Sequence, residues 1–95
     1  MGKRLIERQL KRNGARLRSL REELQVTDEQ LGHLSDDAAD AALRALVSEN
    51  PGVGYEGRKA QEHADAMGSA RLRVVAEIRR LEQRQDQLLD ALSAS

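Results

Sequence analysis

A leucine recurs every seventh residue near the start of the chain, at Leu10, Leu17, Leu24 and Leu31. Offset by three, Ile6, Asn13, Leu20, Thr27 and Leu34 form a second column. Residues at this spacing fall on one stripe of an α-helix, the a and d positions of a heptad, here with the leucines at a. Such a stripe must be covered lengthwise by another helix, so the spacing predicts a helix over 3–34 that packs as a coiled coil. The heptad names no chemistry.

Composition points the same way. Ninety-five residues make one small domain with a modest core. Tyr55 is the only aromatic residue, and Phe and Trp are absent. A thin helical packing of Leu, Val, Ile and Ala suits this set better than a compact globular core. The charged fraction of 34% fits long surface helices. With no cysteine, disulfides, thiolate zinc sites and cysteine nucleophiles are excluded. No apolar run approaches the ~18 residues of a membrane span. The charged N-terminus lacks the apolar segment of a signal peptide. A cytoplasmic chain without a membrane partner is expected.

The net charge is zero, but the charges are segregated. Residues 1–24 carry eight basic and three acidic side chains, +5. Residues 25–57 carry one basic and seven acidic, −6, and residues 58–95 carry seven and six, +1. Arg4, Lys11, Arg12 and Arg18 fall at heptad positions b and c, and Arg8 at f. They therefore lie away from the seam, free to meet solvent or a partner of opposite sign.

A break is expected at Gly32–Asp37, where Ser35 is a good N-cap and Asp36 and Asp37 would sit in a first helical turn. A short helix over 36–48 follows. Its large apolar residues Leu43, Leu46 and Val47 fall at f, b and c of the first heptad, which argues for a kink or a separate element. The alternative is one continuous helix to Glu49, with Ala38, Ala41 and Ala45 extending the seam. Asn50-Pro51-Gly52-Val53-Gly54 is the strongest breaker, giving a turn over 49–55. A last helix over 56–92 carries its own heptad. Ala64, Arg71, Ile78, Gln85 and Leu92 stand at a; Ala60, Met67, Val74, Leu81 and Leu88 stand at d.

Two long helices joined by a turn pack antiparallel, and facing positions then keep a constant sum of residue numbers. Each seam has two polar interruptions. One sum pairs Asn13 with Gln85 and Thr27 with Arg71, and also pairs Leu10 with Leu88, Leu20 with Ile78 and Leu24 with Val74. A slipped register would bury a polar group against leucine at about 1–3 kcal/mol. The polar layers therefore mark the register. The flanks disagree, since the g positions then bring Arg16 near Arg84 and Glu23 near Glu77. Exposed pairs are weak, so the seam decides. A parallel dimer of the first helix is worse, with Arg16 against Arg21 and Glu23 against Asp28.

Several motifs resolve into plainer features. A basic N-terminus before a leucine zipper is the layout of basic-zipper DNA readers, but here the basic residues overlap the zipper on its outer face. Gly52-Val53-Gly54-Tyr55-Glu56-Gly57 spells GxGxxG, followed by Arg58 and Lys59. No strand pattern precedes it, so it reads as a flexible turn rather than a nucleotide loop. His33 and His63 come to one level of the hairpin, with Asp36, Glu62 and Asp65 nearby in sequence. They fall at c and g, on no common seam, and read as surface histidines rather than zinc ligands. No nucleophile–base set, metal set or cofactor motif emerges, and a non-enzymatic chain is expected.

Asp37-Ala38-Ala39-Asp40-Ala41-Ala42 reads DxxDxA. It resembles the acidic tip of DksA-type factors, whose coiled-coil finger enters the secondary channel of RNA polymerase. That resemblance makes Asp37 and Asp40 the candidate tip acids and implies transcriptional regulation. The family's zinc ribbon has no counterpart in this cysteine-free chain. As a whole the chain resembles small coiled-coil hairpin proteins of high-GC Gram-positive bacteria, a likeness that carries no mechanism.

The expected fold is all-α: an antiparallel coiled-coil hairpin with a short helix near its turn. Leu72, Val75 and Leu89 beside the last seam suggest a homodimer resembling a four-helix bundle. Three functions are expected, in order. The first is a protein-interaction or adaptor module contacting its partner through Leu43, Leu46, Val47, Val53 and Tyr55. The second is a nucleic-acid- or ribonucleoprotein-associated factor using Arg4, Arg8, Lys11, Arg12 and Arg18, on the outer face of the first helix, against phosphates. The third is polymerase regulation through the acidic turn.

Overall fold

The computed structural model describes residues 2–95. It contains α1 over Lys3–Val47 and α2 over Pro51–Ala94, with no strand among the described residues. Ser48, Glu49 and Asn50 form the turn. The all-α antiparallel hairpin expected from the two heptads is the observed fold. Its contacts divide into a terminal unit, 2–24 with Arg73–Ser95, and a turn unit, Gln25–Leu72.

In the terminal unit the two seams meet as leucine on β-branched residue. Leu17, Leu20, Val74 and Ile78 form the buried cluster, with Leu24 and Leu81 packed against it. Ile6 and Leu88 are also buried. Each such side chain contributes roughly 1.5–3 kcal/mol on burial. Asn13 is 8% exposed and lies in the same seam. Its side-chain amide donates to Gln85 Oε1 at 2.7 Å and to the Leu81 carbonyl at 2.9 Å. The Asn13–Gln85 layer thus exists in the register that the sequence implied.

The flanking charges differ from expectation. Arg16 does not face Arg84; it pairs with Glu77 at 3.2 Å, and Arg84 donates to Gln9 at 3.4 Å. Both contacts run diagonally, one heptad off the directly opposed positions, a span that a guanidinium on three methylenes covers easily. Arg21 pairs with Glu82 at 3.4 Å on the other flank. The apparent like-charge clash on the Arg16 side is relieved without any second chain.

In the turn unit the seam is built from small residues. Ala38, Ala41 and Ala64 are buried, and Leu31, Leu34 and Met67 are half-buried. Thr27 is buried at 8% exposure, but Arg71 leaves the seam and pairs with Asp28 at 2.5 Å. A guanidinium gains more from an exposed carboxylate than from a hydroxyl, so the second polar layer is an Arg–Asp pair beside a buried threonine.

Two expected boundaries are corrected. The short helix over 36–48 is not a separate element, because α1 runs unbroken through Gly32–Asp37. Ser35, Asp36 and Asp37 are exposed mid-helix residues, not a cap. Burial of Ala38 and Ala41 carries the seam onward in phase and outweighs the roughly 1 kcal/mol cost of Gly32. The alternative of one continuous helix with an alanine seam is the observed one.

The turn is also shorter than 49–55, since α2 starts at Pro51. Asn50 caps it, its Oδ1 accepting from the Gly52 N–H at 2.9 Å. Pro51 then occupies the first helical position, where its missing N–H costs nothing and its φ is already helical. The Ser48 hydroxyl accepts from the Asn50 N–H at 3.1 Å and closes the turn. The string read as a breaker is a helix start.

Candidate interaction surfaces

The turn unit places its large apolar residues outward. Leu43, Leu46, Val47 and Tyr55 are 63%, 81%, 87% and 55% exposed. Val53 is half-buried, at a seam position of α2. Four of the five residues expected as a contact patch are therefore exposed in the turn unit, and Val53 is not. Their heptad positions f, b and c had suggested a break in α1; they instead mark an apolar outer surface on an unbroken helix. Lys59 Nζ lies 5.5 Å from the centroid of the Tyr55 ring, a cation–π contact that leaves much of the ring open.

Beside Leu46 runs a shallow groove of about 410 Å³ between the helices. Ala38, Ala42, Ala45, Gly54 and Gly57 line it, with Arg58 and Gln61 on the α2 side. Gly57 explains the shallow floor. A Cβ there would stand 3.5 Å from the Ala41 carbonyl oxygen and 3.9 Å from the Ala45 Cβ. The helix backbones approach closely at this layer because neither partner carries a bulky side chain.

The GxGxxG string is helical throughout, within α2, and no glycine has positive φ. It is neither a flexible turn nor a phosphate-cradling loop. Gly57 belongs to the seam, and Gly54 lines the groove.

The basic residues Arg4, Arg8, Lys11, Arg12 and Arg18 are exposed on α1. None of them forms an ion pair within the described residues. Glu7 lies among Arg4, Arg8 and Lys11 around a shallow depression. Asp37 and Asp40 are exposed on α1, ten and seven residues before its last residue, Val47, rather than in the Ser48–Asn50 turn. His33 and His63 are exposed. Among the described residues no group of three or more His, Asp or Glu is placed to hold a metal ion.

Sequence reasoning missed two exposed apolar residues on α1, Leu5 and Val26, at 40% and 52% exposure. Both fall on column c, as does Val47. The signal was there in the same phase that put Val47 outside the seam. Leu72 and Leu89 on α2 are exposed, and Val75 is half-buried. No helix is long and apolar enough to cross a membrane among the described residues. No family model, curated protein or solved structure matches the chain.

Proposed function

We propose that this chain is a non-enzymatic protein-interaction module that binds its partner through the apolar surface of the turn unit. One observation carries this reading: Leu43, Leu46, Val47 and Tyr55 lie within thirteen residues of sequence around one turn, all more than half exposed. Large apolar side chains left outside an available seam mark contact sites more often than accidents of composition. The groove beside Leu46 offers a shallow depression with small walls, suited to an apolar side chain from a partner.

The test is binding to partners captured from the source cell, measured with purified protein. Leu46→Asp abolishes capture and leaves the helical circular dichroism unchanged, because Leu46 is 81% exposed and takes no part in the seam. Unchanged partner binding by folded Leu46→Asp refutes the assignment. A second reading, phosphate contact through Arg4, Arg8, Lys11, Arg12 and Arg18, is favoured by their lack of ion pairs within the hairpin. It requires binding that falls steeply with salt and collapses when Arg8, Lys11 and Arg12 are neutralised.

A further inference from the structure

Two grooves flank the seam of the terminal unit, and their charges differ. One, of about 430 Å³, runs beside Gly14 and Leu17 and sets Arg18 and Arg21 against Glu82 and Asp86. Arg21 and Glu82 pair across it at 3.4 Å, and its charges cancel. The other, of about 460 Å³, carries Arg12, Arg16 and Arg84 and is lined by no acid. All of its residues belong to the terminal unit.

The floor of this second groove is apolar. Leu88 is buried there and Leu81 is half-buried. Asn13 also lines it, but its amide already donates to Gln85 and to the Leu81 carbonyl. The three guanidinium groups stand exposed around the floor. Arg16 is paired with Glu77 at 3.2 Å, a carboxylate that Arg80 shares at 3.7 Å. Arg84 is held in another way. It donates to Gln9 Oε1 at 3.4 Å and to Gln87 Oε1 at 3.5 Å. Two neutral amides thus fix where its charge sits without cancelling it. Arg12 has no ion-pair partner among the described residues.

The hairpin gains nothing from this arrangement. Arg12 with Arg16, and Arg80 with Arg84, are like charges at i,i+4, each unfavourable to its own helix. A glutamate at position 9 or 87 would keep the contact to Arg84 and neutralise it. A carboxylate brought from outside does the same, and the planar guanidinium fork matches it with two parallel hydrogen bonds. Guanidinium groups around a leucine floor call for a ligand that carries acids beside an apolar group. A phosphate backbone meets only the arginines, and the terminal unit has no aromatic residue on which a base stacks.

We infer that this groove binds an acidic peptide segment of a partner protein, with an apolar side chain against Leu81 and flanking carboxylates on Arg12 and Arg84. The groove shares no residue with the turn-unit patch, so Leu46→Asp leaves this binding unchanged and the two assignments fail separately.

Fluorescence anisotropy with a fluorescein-labelled peptide, Glu-Glu-Leu-Leu-Glu-Glu, tests it. The ionic strength is set near ~0.15 M, where charges beyond about 8 Å are largely screened. The full chain binds the peptide, and binding weakens as salt rises. Glutamine in place of the peptide's glutamates, or serine in place of its leucines, weakens binding by about tenfold or more. Arg12→Gln and Arg84→Gln each raise the Kd by about tenfold, the loss of one charge-assisted contact. Arg8→Gln and Arg18→Gln lie outside the groove and change the Kd by less than about twofold. Circular dichroism verifies that all four variants fold, as expected for exposed side chains off the seam. A chain that does not bind the acidic peptide overturns the inference. So does binding that survives both Arg12→Gln and Arg84→Gln, or that ignores the serine replacement. A single-stranded or duplex oligonucleotide that binds more tightly than the peptide, and is lost in the same two variants, assigns the groove to phosphates and overturns it as well.

Discussion

Replacing Asn13 by alanine should destabilise the hairpin about twice as much as replacing Gln85. Asn13 donates to both the Gln85 amide oxygen and the Leu81 carbonyl, whereas Gln85 takes part in only the first of these bonds. A net contribution near 1 kcal/mol per hydrogen bond gives about 2 kcal/mol for Asn13→Ala and about 1 kcal/mol for Gln85→Ala. In Gln85→Ala the Asn13 amide keeps its bond to Leu81, so no donor is wholly orphaned. In Asn13→Ala the half-buried Gln85 amide turns to water. The double variant should then cost about 2 kcal/mol, leaving a coupling near 1 kcal/mol between the two positions. Urea unfolding followed by circular dichroism at 222 nm measures all three. For a domain of this size the Asn13→Ala loss lowers Tm by roughly 8–16 °C. Equal costs for the two single variants, or a coupling indistinguishable from zero, would refute the reading of Asn13 as the two-bond centre of its layer. Replacing both residues by leucine should stabilise the fold, since no polar group is left buried, while removing the layer that specifies the register.

Glycine substitutions should separate the seam from the surface. A Cβ at Gly32 or Gly68 meets nothing within 4 Å, so alanine at either site stabilises by about 0.5–1 kcal/mol through helix propensity alone, read as a rise in Tm. At Gly57 a Cβ finds ordinary contact with Ala41, so Gly57→Ala is tolerated, but Gly57→Leu forces the helices apart and costs about 1–3 kcal/mol. Amide hydrogen exchange should be faster in the turn unit than in the terminal unit, because its buried apolar seam residues are all alanines; equal protection in both units would contradict that.

The hairpin and its register were legible because the heptad repeats over many turns and because Asn13 and Gln85 interrupt both seams at matching levels. The Thr27–Arg71 pairing was half legible. The level is right, but a nearby carboxylate, Asp28, competes for the guanidinium, and sequence spacing does not rank the two. The flank clash between Arg16 and Arg84 was misread for a related reason. Heptad geometry fixes which Cβ atoms are opposed, while long side chains choose partners a heptad away. The false break at Gly32–Asp37 came from weighing local signals, a cap and two acids, above the in-phase alanines. Alanine carries little hydrophobic signal, yet burial of Ala38 and Ala41 continues the helix. Pro51 misled because the same dipeptide that ends a helix also starts one when an asparagine precedes it.

The two halves of the seam use their apolar residues in opposite ways. The terminal unit buries Ile6, Leu17, Leu20, Val74, Ile78 and Leu88. The turn unit buries Ala38, Ala41 and Ala64 and leaves Leu43, Leu46, Val47, Tyr55 and Leu72 outside. At about 0.8 kcal/mol per buried CH₂, each alanine in place of leucine forgoes roughly 2 kcal/mol of burial. Hairpin stability alone would favour the exchange of Leu46 with Ala45, its neighbour on the seam. The small seam has a geometric effect that stability alone does not call for. It lets the α2 backbone at Gly57 approach Ala41 and leaves the groove whose rim is Leu46. A leucine at position 45 or a side chain at position 57 would fill that groove. The arrangement therefore weakens the hairpin where it exposes apolar surface, which is the distribution expected if a partner completes the packing that the turn unit withholds from itself.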